Sequence, residues 1–191
     1  MKAILIGIIT AAVTLIGCAD KKTSTEDTMN TNDENQTGAT SEVRMETAAS
    51  SDEVVTHYLH IKNALVKDNG KEAATAGEQL QESLLKLDNA SFSADQKKVY
   101  DDVKESIKEH AQHISTNAGE IAHQREHFDM LSQDMYDFIK SVKPGQALYK
   151  DHCPMFNDKK GAFWLSEVKE IQNPYYGKKM LTCGEVQEEI K

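Results

Sequence analysis

The chain has 191 residues, and its 31 acidic residues against 22 Lys and Arg give a net charge of −9. That balance argues against nucleic-acid binding and against electrostatic adsorption to anionic lipid, both of which need a basic surface. Apolar residues are concentrated at the start and after about residue 51, so composition alone already divides the chain.

Met1-Lys2 is a short positive start, followed by an apolar run from Ala3 to Ile16 broken by Gly7, Thr10 and Thr14. The run is too short for a stable membrane-spanning helix and predicts a signal peptide over residues 1–17. Leu15-Ile16-Gly17-Cys18 resembles the lipobox of the lipoprotein pathway, which implies that Cys18 carries a lipid as the first mature residue. The competing reading is an ordinary secretory signal followed by an incidental cysteine. Multiple acyl chains would anchor the protein firmly in the cell envelope, facing the periplasm or the cell exterior. Loss of Lys2 with the signal takes the charge to −10. The compartment is then oxidising, and Cys153 and Cys183 remain as the available pair. Residues 18–50 lack aromatics and are rich in Thr, Ser, Asn, Asp and Glu, which predicts a flexible tether.

Residues 51–191 have the size of one domain. A first helix is expected over 51–68, with Val54, Tyr58, Ile61 and Leu65 on one stripe and Asp68-Asn69-Gly70 as its stop. A second is expected over 71–88, aligned through Ala73, Gly77, Leu80, Leu84 and Leu87. Ser93 and Gln96 have capping-box spacing and open a third helix running to about Ser115, with Tyr100, Val103, Ile107, His110 and Ile114 in its stripe. Asn117 and Glu120 repeat that spacing before a fourth, which buries Ile121, Phe128, Leu131, Met135, Phe138 and Val142. Pro144-Gly145 ends it. The fold class is therefore all-α: an antiparallel four-helix bundle over 51–143, with a small irregular module over 144–191 packed on it. In that module, short strands are expected near 147–153 and 162–166, and a final helix from about 178.

The module concentrates the chemistry. Cys153-Pro154-Met155 sets a thiol and a thioether on a stiff segment, since proline drives the preceding residue toward an extended conformation. On a helical turn, Met180 and Cys183 would share a face, and His152 adjoins the first cysteine. Soft sulfur donors of this kind select Cu(I). The other reading is a Cys153–Cys183 disulfide closing a loop of about thirty residues and contributing roughly 3–4 kcal/mol, with the methionines as core filler.

Leu148-Tyr149, Cys153-Pro154-Met155, Trp164-Leu165-Ser166, Asn173-Pro174-Tyr175-Tyr176-Gly177, Met180-Leu181 and Cys183-Gly184-Glu185 together resemble the closing motif of a family of exported helical domains of unknown function. Similar domains are attached to periplasmic adaptor subunits of heavy-metal efflux pumps of the copper/silver type. Gln124-Arg125-Glu126-His127-Phe128 and Leu131-Ser132 fit the same pattern, and the resemblance covers roughly residues 50–191. It implies metal handling by association. Cys-Pro-Met also resembles a tripeptide of short heavy-metal-binding modules in copper pumps, but Phe156-Asn157 stands where His-Pro often follows there.

Seven histidines include three same-face pairs: His57/His60, His110/His113 and His123/His127. With the turn between the third and fourth helices centred near Ala118, His110 matches His127 in height, and His113 matches His123, at about 1.5 Å rise per residue. Four imidazoles at one bundle end would suit Cu(II) or Zn(II). The plainer reading is a set of boundary histidines. Arg125, near the inner face of the fourth helix, needs a partner and is expected to hold the module through a carboxylate or backbone carbonyls. Trp164, Tyr175 and Tyr176 are expected to plug the module onto the bundle.

No phosphate loop, His-Glu-x-x-His, serine elbow or Cys-x-x-Cys is present, and no enzymatic activity is expected. The leading expectation is an envelope lipoprotein that binds copper or a related soft metal, for tolerance or delivery to an efflux-pump adaptor, through Cys153, Met155, Met180, Cys183 and His152. His110, His113, His123 and His127 form a second candidate set. The alternative is a disulfide-stabilised helical interaction module that takes no metal and binds another envelope protein.

Overall fold

The structure is a computed structural model that describes residues 49–191. The expected signal peptide, Cys18 and nearly all of the tether lie outside the described residues. Ala49 is already buried and pairs with Leu87, so packing starts two residues before the expected boundary. Among the described residues no helix is long and apolar enough to cross a membrane.

Four long helices are formed: α1 (Ser51–Val66), α2 (Gly70–Lys86), α3 (Ala94–Thr116) and α4 (Ile121–Val142). The sequence supplies their ends. The Ser50 hydroxyl accepts the Glu53 N–H, with Asp52 and Glu53 in the positive first turn of α1. The Asn69 side chain caps α2, and the Ser93/Gln96 capping box opens α3 as expected. The start of α4 differs from expectation. Asn117 closes α3 instead, donating its side-chain amide to the His113 carbonyl, and Glu120 precedes α4 without a side-chain capping bond.

Paired residues give the helix directions. Gly70 lies against Ala118, and Gly77 against Ala111. Tyr58 bonds to Ser132, and Leu65 to Arg125. His110 meets His127, and His113 meets His123. One number rises as the other falls in every case, so neighbouring helices run antiparallel and α1 closes against α4. Most of the expected stripes fill the core, with Tyr58, Ile61, Leu65, Ile107, Ile114, Phe128 and Leu131 fully buried, while His110, Ile121 and Val142 are half-buried at its edge. Each such side chain contributes about 1.5–3 kcal/mol by leaving water.

After α4 the chain makes a three-stranded antiparallel sheet in the order β2-β1-β3, with β1 at Leu148–Cys153, β2 at Ala162–Ser166 and β3 at Glu185–Ile190. The protein is thus mostly helical with a small sheet, not purely all-α. The two expected strands are β1 and β2. The expected final helix is replaced by a single 3-10 turn at Gly177–Lys179 and by β3. Residues 185–190 carry three glutamates against two β-branched residues, Val186 and Ile190, and the unpaired edge of β1 decides for a strand. Glu188 accepts from Tyr136 at 2.7 Å and from Lys140 at 2.6 Å, which holds β3 to α4. Its other acidic side chains point to solvent, as suits an edge strand.

The sheet packs through β2 on α4 and α1. Tyr175 is buried against Phe128 of α4, and Trp164 is buried with its ring edge-on to Tyr175. Tyr176 sits at the edge, half-buried. The Tyr58 hydroxyl accepts the Leu165 N–H at 3.0 Å, linking α1 to β2.

Arg125 carries the second link. Its guanidinium donates to the Pro174 carbonyl at 2.8 Å, the Leu65 carbonyl at 3.0 Å and Asp68 Oδ1 at 2.6 Å. Asp68 also accepts the Lys178 N–H. The Arg125 guanidinium beside Asp68 holds that carboxyl below the usual carboxylate range. One side chain therefore ties together α4, the end of α1 and the 174–178 turn. Gly177, with φ +54°, lies so close that a Cβ there would overlap Asp68 and press on Arg125. Gly177→Ala is expected to cost about 2–4 kcal/mol in urea unfolding, from left-handed strain plus loss of the charged hydrogen bonds. Arg125→Ala should fall in the same range, and the double variant should lose less than the sum of the two.

Candidate metal centre

The four histidines lie on α3 and α4 beside the four-residue connection 117–120. His110 and His113 are one turn apart on α3, and His123 and His127 one turn apart on α4, so each pair shares a face. Core packing sets the facing register. Gln124, fully buried next to His123, donates to the Gly70 and Ile114 carbonyls at 2.9 Å each and locks the first turn of α4 against α2 and α3.

His127 is at the centre of the group. Its ring stacks on His113 at 4.0 Å with a 4° interplanar angle, and meets His123 edge-on at 4.5 Å. Its Nδ1 lies 3.1 Å from Nδ1 of His110, so one of those nitrogens is protonated and donates to the other. Ligand atoms of His113, His123 and His127 all fall within 4.8 Å of one another. Nitrogens around a tetrahedral ion with bonds of about 2.0–2.1 Å stand roughly 3.4 Å apart. Closing the site therefore takes side-chain rotation that unstacks His113 from His127.

Burial, together with the charge of the three neighbouring imidazoles, holds His127 down at about 4. Burial likewise lowers His110. Both are neutral at physiological pH, the form that ligates metal. Glu126 Oε2 is 3.7 Å from His123 Nδ1, beyond hydrogen-bond length. His57 and His60 lie together on α1, apart from this group, with their rings 5.9 Å apart.

The expected sulfur site is only partly assembled. Cys153 and Cys183 come together, Sγ to Sγ 3.5 Å, both as free thiols. Burial and the contact with Cys153 push the Cys183 thiol up. His152 precedes Cys153 on β1, and successive strand residues face opposite sides, so its imidazole is directed away from the thiols and packs on Gly161. Met155 and Met180 are 40% and 38% exposed on the surface. Met180 and Cys183 share a turn closed by the Cys183 N–H and the Met180 carbonyl, not the helical face that was expected.

Residues 54–147 match the model of a family described as a protein of unknown function, DUF3347. The match takes in α1 from Val54, all of α2 to α4 and the four-histidine group, and ends just before β1, so Cys153 and Cys183 lie outside it. No curated protein and no solved structure matches the chain.

A buried charged group was missed at the sequence level. Lys62, with no exposure, pairs with Glu167 at 2.9 Å, and the equally buried Asp151 lies in its field. The available signal was a lysine set among Tyr58, Ile61 and Leu65 on the apolar face of α1. Neither carboxylate oxygen of Asp151 has a hydrogen-bond partner among the described residues, and burial pushes its carboxyl up to about 7. A carboxyl raised in the folded state binds its proton more tightly there than in the unfolded chain. Its contribution to stability is therefore full below the unfolded value of 3.8 and is lost as pH rises toward 7. Asp151→Asn should accordingly gain melting temperature over the parent as pH goes from 4 to 8. A constant difference across that range would show that Asp151 does not titrate this way.

Proposed function

We propose that this protein is a lipid-anchored envelope protein that binds a transition-metal ion, with His113, His123 and His127 as ligands and His110 as a fourth donor. The observation that carries the reading is the convergence of three imidazole ligand atoms within 4.8 Å on two helices whose register is fixed by buried packing. Imidazole donors suit Cu(II), Zn(II) and Ni(II), and among these divalent ions Cu(II) binds most tightly to a given nitrogen site. The resemblance to domains on adaptor subunits of copper/silver-type efflux pumps supports copper as the physiological metal. Tolerance, or delivery of the ion to such an adaptor, is the role that follows. The lipobox-like Leu15-Ile16-Gly17-Cys18 supports attachment to a membrane, where such an assembly works.

This reading moves the metal from the cysteine-methionine set to the histidines. Cu(II) titrated into the full chain in a competitive chelator assay should bind at one site per chain. His113→Ala/His127→Ala should weaken binding at least about a hundredfold, given the loss of two of the ligands. Cys153→Ser/Cys183→Ser should leave Cu(II) affinity within about twofold. Unchanged affinity in the histidine double variant would remove the proposed centre.

A further inference from the structure

We infer that Cys153 and Cys183 form a reversible dithiol–disulfide couple that locks the C-terminal module, with Cys183 as the exchanging thiol and Cys153 as the resolving thiol. The sulfurs touch at 3.5 Å without being bonded. Backbone structure independent of any bond between them puts them there. His152 pairs with Glu185 across β1 and β3, which leaves Cys153 at the strand end facing the 183–184 corner. That corner is held by the Asn173 side-chain amide on the Cys183 carbonyl at 2.7 Å and by the Asn173 N–H on the Leu181 carbonyl at 2.8 Å. Gly184 completes it by packing against the His152 carbonyl and Trp164 where a Cβ would clash. A bond would bring the sulfurs from 3.5 Å to about 2.05 Å, an approach of roughly 1.5 Å.

Burial assigns the roles. Cys153 is fully buried against the core, whereas Cys183 is half-buried and reachable from solvent. The Cys183 thiolate attacks one sulfur of an external disulfide, such as an oxidised small thiol or a disulfide-donor protein. That bond breaks, the first donor sulfur leaves as a thiolate, and a mixed disulfide remains on Cys183. The Cys153 thiolate then attacks the Cys183 sulfur and expels the second donor thiol. Two electrons pass from the pair to the donor, and the two protons lost by the cysteines end on the donor's two thiols. The raised Cys183 thiol makes the exchange slow, which fits a structural lock better than a turnover catalyst.

Two arrangements argue against a soft-metal site here. His152 faces the other side of β1, and the two methionines sit on the surface. The oxidised loop would enclose β2 and the Tyr175-Tyr176 turn that abuts the Arg125 clamp, so closure would tie the sheet and the clamp together.

The full chain, treated with a metal chelator, is equilibrated with graded ratios of reduced and oxidised glutathione. It is then trapped by alkylation and mapped by peptide mass spectrometry. A linked Cys153–Cys183 peptide is expected, two hydrogens lighter than the dithiol form, with a melting temperature roughly 10 °C higher when oxidised. Cys153→Ser should accumulate glutathione on Cys183, while Cys183→Ala should leave Cys153 unmodified. Either variant should erase the redox difference in melting temperature. Two results would each overturn the proposal. One is full alkylation of both thiols in excess oxidised glutathione. The other is Cu(I) protecting both thiols while no linked peptide forms in its absence.

Discussion

The register of α3 against α4 is the constraint on which the rest of this molecule depends. A four-residue connection and the buried stripe of Ile107, Ala111, Ile114, Phe128 and Leu131 allow the two helices one alignment. A shift of one residue would rotate apolar side chains by about 100° into water, at a cost of several kcal/mol. Gln124 reinforces the alignment with two buried amide hydrogen bonds. Four boundary histidines are carried into contact as a result, and none of them has to supply the energy that assembles the group. Instead the core pays for their crowding, which shows in the lowered His127 and in the parallel stacking of His113 on His127.

That arrangement also explains how metal binding would couple to the fold. Burial lowers both His110 and His127, so those two rings are held in the neutral form that ligates metal. An ion would replace ring-on-ring packing by directed bonds. Since α3 and α4 already hold their positions, little backbone ordering would oppose binding. The sheet and the 174–178 turn meet α4 from Arg125 to Lys140, so the module and the histidines share one helix through different residues.

Much of this was legible in the sequence. The stripes of α1 to α4 have unambiguous helical period, and the Ser93/Gln96 box and Asp68-Asn69-Gly70 mark ends that the structure keeps within two residues. Matching His110 to His127 and His113 to His123 by height needed only the position of one turn. Arg125 was legible as a charge requiring partners, though which partners was not. β3 was hidden because Glu185, Glu188 and Glu189 read as helix formers, and only the free edge of β1 makes a strand of them. Placing His152 with Cys153 failed for a simpler reason: neighbouring residues on a strand diverge, a consequence of the strand already expected at 147–153. The Asn117 cap was misassigned because the same side chain can cap the start of one helix or close the end of another, and the spacing to Glu120 does not distinguish them.

The central claim is that metal goes to the histidines of α3 and α4 and not to the sulfurs of the C-terminal module. X-ray absorption at the copper edge of the Cu(II)-loaded full chain tests it most directly. Copper held by these histidines will show nitrogen and oxygen neighbours only, with more distant scattering from three or four imidazole rings. A sulfur scatterer near about 2.3 Å, the thiolate bond length, would contradict it.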